Sequence, residues 1–156
     1  MKGEAADGSG ESATGRTMAL DYGDRRIGVA LSDPLGITAR PLLTLTRTTW
    51  EGDLERIRAM TREHDIRRIV VGLPLDMDGT RGERVRLTEI FMQRVHRATG
   101  LPVQPWDERL TTLQAERALL EGDLSRSRRR RVIDQVAAVI LLQSYLDAQR
   151  SAAAPE

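Results

Sequence analysis

Cysteine is absent from this chain, which excludes disulfide bridges and metal sites built on thiolates. No run of about 18 apolar residues occurs, so the sequence predicts no membrane-spanning helix. The N-terminal segment has one basic residue, Lys2, and no apolar core, so we expect no secretory signal peptide. These absences together favour a cytoplasmic protein.

Aromatic residues are also scarce, at 3% of the chain, and the net charge is only +1. Bulk charge therefore does not indicate a nucleic-acid partner. The 156 residues are 40% apolar and 30% charged, a balance typical of one globular domain. We predict a disordered tail over residues 1–16, a single domain over 17–150 and a short tail over 151–156.

Apolar runs and turn residues predict five strands and four helices. Three closely spaced strands come first and should form an antiparallel meander. The later strands are separated by helices and should therefore lie parallel. The predicted fold is α/β, a mixed five-stranded sheet in the order β-β-β-α-β-α-β-α-α with helices packed on it. The predicted strands are 18–20, 26–31, 42–47, 69–71 and 103–106, and the helices are 48–64, 81–99, 111–122 and 127–150.

Acidic residues converge on one end of this predicted sheet. Asp21 follows the first strand, Asp107 and Glu108 follow the fifth, and Asp134 lies in the second turn of the last helix. Sites in open α/β sheets form outside the carboxyl ends of the strands. Carboxylates are the ligands that Mg²⁺ and Mn²⁺ prefer, and two such ions can promote phosphodiester hydrolysis. The pattern therefore favours a metal-dependent phosphodiesterase.

Each acid also has a structural interpretation that the sequence leaves open. Asp21 could be a turn residue ahead of Gly23, and Asp107 could cap the helix that follows it. Glu108 and Asp134 could instead form local ion pairs. The candidate partners are Arg109 or a neighbouring helix for Glu108, and Arg130 or Arg131 for Asp134.

Other acidic and aromatic residues are assigned outside the site. Asp33 lies in a turn at the opposite end of the sheet, because the second strand runs antiparallel to the first. Asp76 and Asp78 are interpreted as loop acids near the correct end. Trp106 is assigned to packing, whereas Tyr22 could pack or contact a substrate.

Arginine dominates the basic residues, since Lys2 is the only lysine. A dense arginine run opens the last helix, where positive charge opposes the helix dipole, and this favours a phosphate-binding role. A solvated charged face is the alternative. The run comprises Arg126, Arg128, Arg129, Arg130 and Arg131, and further candidates for the same groove are Arg25, Arg26, Arg81, Arg84 and Arg109.

Four segments, in order, resemble the motifs of the YqgF/RuvX family. The resemblance covers about residues 17–147, and one departure is Ala19, where glycine is common. The segments are 20–33 (Leu-Asp-Tyr-Gly, then Arg-Ile-Gly-Val-Ala and Ser-Asp), 70–79 (Val-Val-Gly-Leu-Pro, then Asp-Gly), 107–112 (Asp-Glu-Arg-Leu-Thr-Thr) and 134–138 (Asp-Gln-Val-Ala-Ala).

The resemblance implies an RNase H-like fold related to the RuvC Holliday junction resolvases. It also implies Mg²⁺- or Mn²⁺-dependent cleavage, often by a homodimer, with Asp21, Glu108 and Asp134 catalytic and metal-binding and Asp107 a further candidate ligand. Two activities are attributed to the family, namely resolution of four-way DNA junctions and processing of the 5′ end of pre-16S rRNA.

An endonuclease is therefore the leading hypothesis. Scarce aromatics argue against base stacking and favour an enzyme that grips phosphates, which leans toward junctions or duplexes. Processing of precursor rRNA is the alternative substrate. Hypotheses of other classes are an actin-like phosphate-binding domain and a nucleic-acid-binding factor without activity.

Overall fold

The sequence folds into a five-stranded sheet with helices on both faces. The computed structural model describes residues 15–76, 81–111 and 126–153, and over 126–131 it describes the backbone alone. In chain order the elements are β1 (Arg16–Tyr22), β2 (Arg26–Ser32), β3 (Ala39–Thr46), α1 (Trp50–Glu63), β4 (Ile66–Leu73), α2 (Glu83–Thr99), β5 (Val103–Asp107), a 3₁₀ turn (Glu108–Leu110) and α3 (Arg126–Ala153).

The strands lie in the order β3-β2-β1-β4-β5, with β1 at the centre. β1, β2 and β3 pair antiparallel, whereas β4 and β5 run parallel to β1. This confirms the predicted mixed sheet and its element order. β5 lies at an edge, where Pro102 and Pro105 are tolerated because an edge strand pairs on one side only. The predicted helix over 111–122 lies outside the described residues, apart from its first residue.

Several element ends follow from local chemistry. Thr49 caps α1 by accepting a hydrogen bond from the Gly52 backbone nitrogen at 3.0 Å. Gly100 ends α2 in a left-handed conformation with φ of 74°, which glycine adopts more readily than other residues. β3 begins at Ala39, three residues before the predicted start, because its pairing with β2 continues to Ser32. None of the described helices is long and apolar enough to cross a bilayer.

The two faces of the sheet bury different side chains. One face packs under α1 and α2 with large residues such as Leu20, Ile69 and Phe91. The other packs under α3, where β1 and β2 contribute the small residues Ala19 and Ala30. Since successive residues on a strand point to opposite faces, Asp21 belongs to the α3 face, between Leu20 and Tyr22 of the other face.

Candidate active site

Asp21 lies at the carboxyl end of the central strand and is 7% exposed. Its direct neighbour on β2 is Gly28. On the other side Leu20 pairs with Val71 of β4, so the next residue of β4, Gly72, lies beside Asp21. Asp21 is therefore flanked by a glycine on each neighbouring strand, and both glycines share its face of the sheet.

The two glycines leave room for the two other predicted acids. A Cβ at Gly28 would stand 2.1 Å from the backbone oxygen of Asp134, so α3 approaches the sheet there as closely as a glycine permits. A Cβ at Gly72 would stand 2.7 Å from Oε2 of Glu108. Because neighbouring strands are about 4.8 Å apart, Asp134 and Glu108 are brought to opposite sides of Asp21.

Asp134 is held by an arginine that is distant in sequence. Its Oδ2 accepts a hydrogen bond from Nε of Arg26 at 2.6 Å, and the Arg26 and Asp134 side chains are only 26% and 19% exposed. The sequence suggested Arg130 or Arg131 as the partner, but the side chains of those residues lie outside the described part of the chain. The helix crossing over β2, rather than spacing along α3, sets this ion pair.

Asp107 has the capping role that the sequence left open. It accepts a hydrogen bond from the Arg109 backbone nitrogen at 2.9 Å, and Nη2 of Arg109 lies 2.7 Å from its Oδ2. The Arg109 side chain holds the pKa of Asp107 below its usual range, and the backbone hydrogen bond contributes to the same shift. The described contacts therefore pair Arg109 with Asp107, whereas the ion pair suggested between Arg109 and Glu108 stays a prediction.

Over residues 15–76, 81–111 and 126–153, no group of three or more His, Asp or Glu side chains is arranged to hold a metal ion. Two of the predicted acids are engaged by arginine instead, Asp134 by Arg26 and Asp107 by Arg109. The structure brings Asp21, Glu108 and Asp134 to adjoining positions around the two glycines.

Two arginines hold the turn that follows Asp21. Nη1 of Arg47 donates to the carbonyls of Gly23 and Asp24, each at 2.9 Å. Arg84 donates to the Tyr22 carbonyl at 2.9 Å and forms an ion pair with Asp24. Arg84 was among the predicted groove residues, whereas Arg47 was not, because nothing in its local sequence distinguishes it from other arginines after strands.

The remaining predicted basic residues separate into three groups. A groove of about 440 Å³ is lined by Gly23, Asp24, Arg25, Arg26 and Asp134, and the phosphate-binding role of its two arginines stays a prediction. Arg81 instead pairs with Glu89 on α2. The side chains of Arg126, Arg128, Arg129, Arg130 and Arg131 lie outside the described part of the chain, and their predicted role stays a prediction.

The acids assigned outside the site are also located. Oδ1 of Asp33 accepts hydrogen bonds from the backbone nitrogens of Ile37 and Thr38, in the β2–β3 turn at the end of the sheet opposite Asp21. Asp76 lies in the loop after β4, near Gly82. Asp78 lies outside the described residues.

All five aromatic side chains pack against another aromatic ring. Tyr22 stacks on Phe91 with ring centroids 4.0 Å apart, and Trp50 adjoins both rings. Burial raises the pKa of Tyr22. Trp106 meets Tyr145 edge to face and donates a hydrogen bond to Ser144 at 2.9 Å. The packing interpretations of Tyr22 and Trp106 therefore agree with the structure.

Sequence similarity to known proteins identifies the family of this chain. The sequence profile of RuvX, described as "Holliday junction resolvase", matches residues 15–148. The chain belongs to the RuvX family. A protein of Symbiobacterium thermophilum named "Putative pre-16S rRNA nuclease" is 52% identical to this RuvX-family chain over 141 residues, which cover 90% of this chain and 97% of that protein. A Myxococcus xanthus protein of the same name is 49% identical over 135 residues, covering 86% and 89%.

Solved structures agree on the fold. Thermus thermophilus RuvC in complex with a Holliday junction substrate superposes with a TM-score of 0.58 at 14% sequence identity, over 90% of this chain and 99% of that one. A second structure of the same protein gives a TM-score of 0.53 at 16% identity, over 87% and 96%. At this identity the likeness establishes the RuvC-like, RNase H-type fold and nothing about substrate.

Proposed function

We propose that this RuvX-family protein is a metal-dependent endonuclease that hydrolyses phosphodiester bonds in structured RNA or DNA. The observation that carries the proposal is the placement of Asp21 between two glycines, one covered by the backbone of Asp134 and the other by the carboxylate of Glu108. Three acids from a central strand, a turn and a helix are thereby adjoining, although they are far apart in sequence.

The residues that would hold a divalent cation are Asp21, Glu108 and Asp134. Their oxygen donors match Mg²⁺ or Mn²⁺, and the glycine pair provides the space that side chains would otherwise fill. Bound there, such a cation would supply Lewis acidity for activating a water molecule and for stabilising the charge on a leaving oxygen. We assign Asp107 to positioning Arg109 rather than to the metal, because its carboxylate caps the turn by accepting a hydrogen bond from the Arg109 backbone nitrogen.

Two arginine side chains are assigned to binding the nucleic-acid backbone. Arg25 and Arg26 line the groove beside Asp134, where guanidinium groups can bind the oxygens of a phosphate on either side of the cleaved bond. The aromatic residues pack against one another, which supports recognition of backbone and shape rather than of stacked bases.

For the substrate we propose the precursor of 16S rRNA. The support is the name that relatives 49% and 52% identical carry, over most of both chains. The second candidate is a four-way DNA junction, cut by a homodimer with two sites. It is supported by the description of the family profile and was favoured by the sequence analysis.

The test incubates the protein with Mn²⁺ or Mg²⁺ and three labelled substrates in parallel, namely a pre-16S rRNA fragment, a four-way DNA junction and a matched linear duplex. The variant Asp21→Asn is expected to lose cleavage by at least about a hundredfold. Asp65→Asn, the same change at an exposed acid in the turn after α1, is the control and should cleave normally.

Each outcome has a distinct meaning. Cleavage of the rRNA fragment alone supports the leading substrate, and symmetric nicks in the junction alone support the second. Binding without cleavage under either metal would instead favour a nucleic-acid-binding factor. Equal cleavage by wild type and Asp21→Asn would overturn the assignment of the site.

A further inference from the structure

Arg26 occupies a special position among the basic residues of the groove. It stands two residues before Gly28 on β2, so its side chain shares the α3 face with the glycine and with Asp21. Its Nε contacts Oδ2 of Asp134 at 2.6 Å, with both side chains about three-quarters or more buried. Its neighbour Arg25 lines the same groove from the exposed turn.

This contact places a permanent positive charge on one of the three acids assigned to the cation. A guanidinium and a divalent cation at the same carboxylate repel each other, and the repulsion is stronger where water is partly excluded. The Arg26–Asp134 pair therefore opposes cation binding at Asp134. When no cation is present, the same pair compensates the negative charge of Asp134, which would otherwise be partly buried without a counter-charge.

We propose that Arg26 is a positioning residue with two alternating partners, and this proposal rests on the proposed function. Without a divalent cation it neutralises Asp134. When the cation takes Asp134, the guanidinium is released into the adjoining groove, where it binds a phosphate of the nucleic acid. Cation and nucleic acid then each favour the other's binding, because both benefit from the same displacement.

The first test measures Mn²⁺ affinity of the full-length protein without nucleic acid, from the free Mn²⁺ signal in electron paramagnetic resonance. Arg26→Gln is expected to bind Mn²⁺ about fivefold tighter than wild type, because the competing charge is gone. Arg25→Gln removes the same charge from the same turn without touching Asp134, and its affinity should stay within about twofold of wild type. Arg26→Met, which retains an apolar stem, should behave like Arg26→Gln and guards against a folding defect in either variant.

The second test measures binding of a labelled RNA duplex with and without Ca²⁺, an ion used as a probe of the acidic site. Arg26→Gln should weaken duplex binding several-fold with Ca²⁺ present and leave it nearly unchanged with chelator. Arg25→Gln should weaken binding equally under both conditions, since Arg25 has no acid to leave.

The outcomes separate the two proposals. If wild type binds Mn²⁺ and the folded Arg26 variants bind it equally or more weakly, the alternating role is wrong while the metal site stands. The alternating role is also wrong if Arg25→Gln tightens Mn²⁺ binding as much as Arg26→Gln, because the effect is then general electrostatics. If neither wild type nor any variant binds Mn²⁺, the metal site itself and the role built on it both fail.

Discussion

The two faces of the sheet are built from different side chains, although they alternate along the same strands. Toward α1 and α2, the strands present large residues that interlock with Phe91 and a stack of aromatic rings. Toward α3, the same strands present Ala19, Gly28, Ala30 and Gly72. The face toward α1 and α2, the large face, has the side-chain volume to fill a core. The face toward α3, the small face, lets backbone and carboxylate groups come close to the strands.

This difference separates stability from chemistry in the fold. The large face buries most of the bulky apolar side chains, which supply the main favourable term in folding. The small face surrounds Asp21, and each of its two glycines is matched to one of the other acids. Substitutions at adjacent residues of one strand, which point to opposite faces, therefore test the two roles independently.

The largest effect is expected from Gly28→Ala. Its Cβ would stand 2.1 Å from the Asp134 carbonyl oxygen, a backbone atom, so α3 must move away from the sheet. A displacement of about 1 Å at catalytic groups costs about a hundredfold in rate, and we expect cleavage to fall by that factor. Cleavage rate per folded molecule, with folding checked by circular dichroism, is the measurement.

The adjacent residue is the control for Gly28→Ala. Val29 is fully buried on the large face, and Val29→Ala should lower the free energy of unfolding by about 2 kcal/mol through lost burial. Its cleavage rate per folded molecule should match wild type. Equal losses of rate in the two variants would mean that the faces do not divide stability from chemistry.

A smaller effect is expected from Gly72→Ala. The new Cβ would stand 2.7 Å from Oε2 of Glu108, the far end of a flexible side chain that can give way. We expect about a tenfold loss of cleavage with little change in melting temperature, because Glu108 shifts while the strand does not. Val71→Ala, on the opposite face, should reverse this pattern by lowering the melting temperature and sparing the rate. An unchanged rate in Gly72→Ala would separate Glu108 from the site.

The turn after Asp21 should give a smaller effect still. Arg84→Gln removes the hydrogen bond to the Tyr22 carbonyl and the ion pair with Asp24, which leaves Arg47 to hold the turn. We expect kcat to fall about threefold with KM little changed, because the contact acts on the backbone beside Asp21. Arg86→Gln, on the same helix in an exposed pair with Glu83, should have no effect. A change confined to KM would indicate that Arg84 contacts substrate instead.

The sequence predicted the features that depend on local periodicity, but it did not predict the contacts that depend on where helices cross the sheet. Apolar runs and turn residues predicted the mixed sheet, its order of elements along the chain and the strand end that carries Asp21, because these depend on short-range spacing. The partner of Asp134 was sought one turn away on its own helix. The actual partner, Arg26, is 108 positions earlier, and only the packing of α3 on β2 brings them together.

The smallest effect on cleavage is expected at a buried acid of α1, a helix that packs on the large face. Asp53, 4% exposed in α1, accepts hydrogen bonds from the Thr48 backbone at 2.9 Å and from Arg56 at 2.7 Å. Burial alone would raise the pKa of Asp53, but these hydrogen bonds outweigh it and lower the pKa. Asp53→Asn should leave the cleavage rate unchanged and lower the free energy of unfolding at pH 7 by about 1–3 kcal/mol.

The pH dependence of that loss follows from the direction of the shift. Since the folded pKa of Asp53 lies below its unfolded value of 3.8, the carboxylate stabilises the fold fully above about pH 5. That stabilisation is lost as the pH falls through the folded pKa, so the gap between wild type and Asp53→Asn in urea unfolding should narrow below about pH 4. Glu51→Gln, an exposed acid of the same helical turn, should show no gap at either pH. If the difference in unfolding free energy stayed constant down to pH 3, the stabilising effect of Asp53 would not depend on the charge of its carboxylate, which would contradict this prediction.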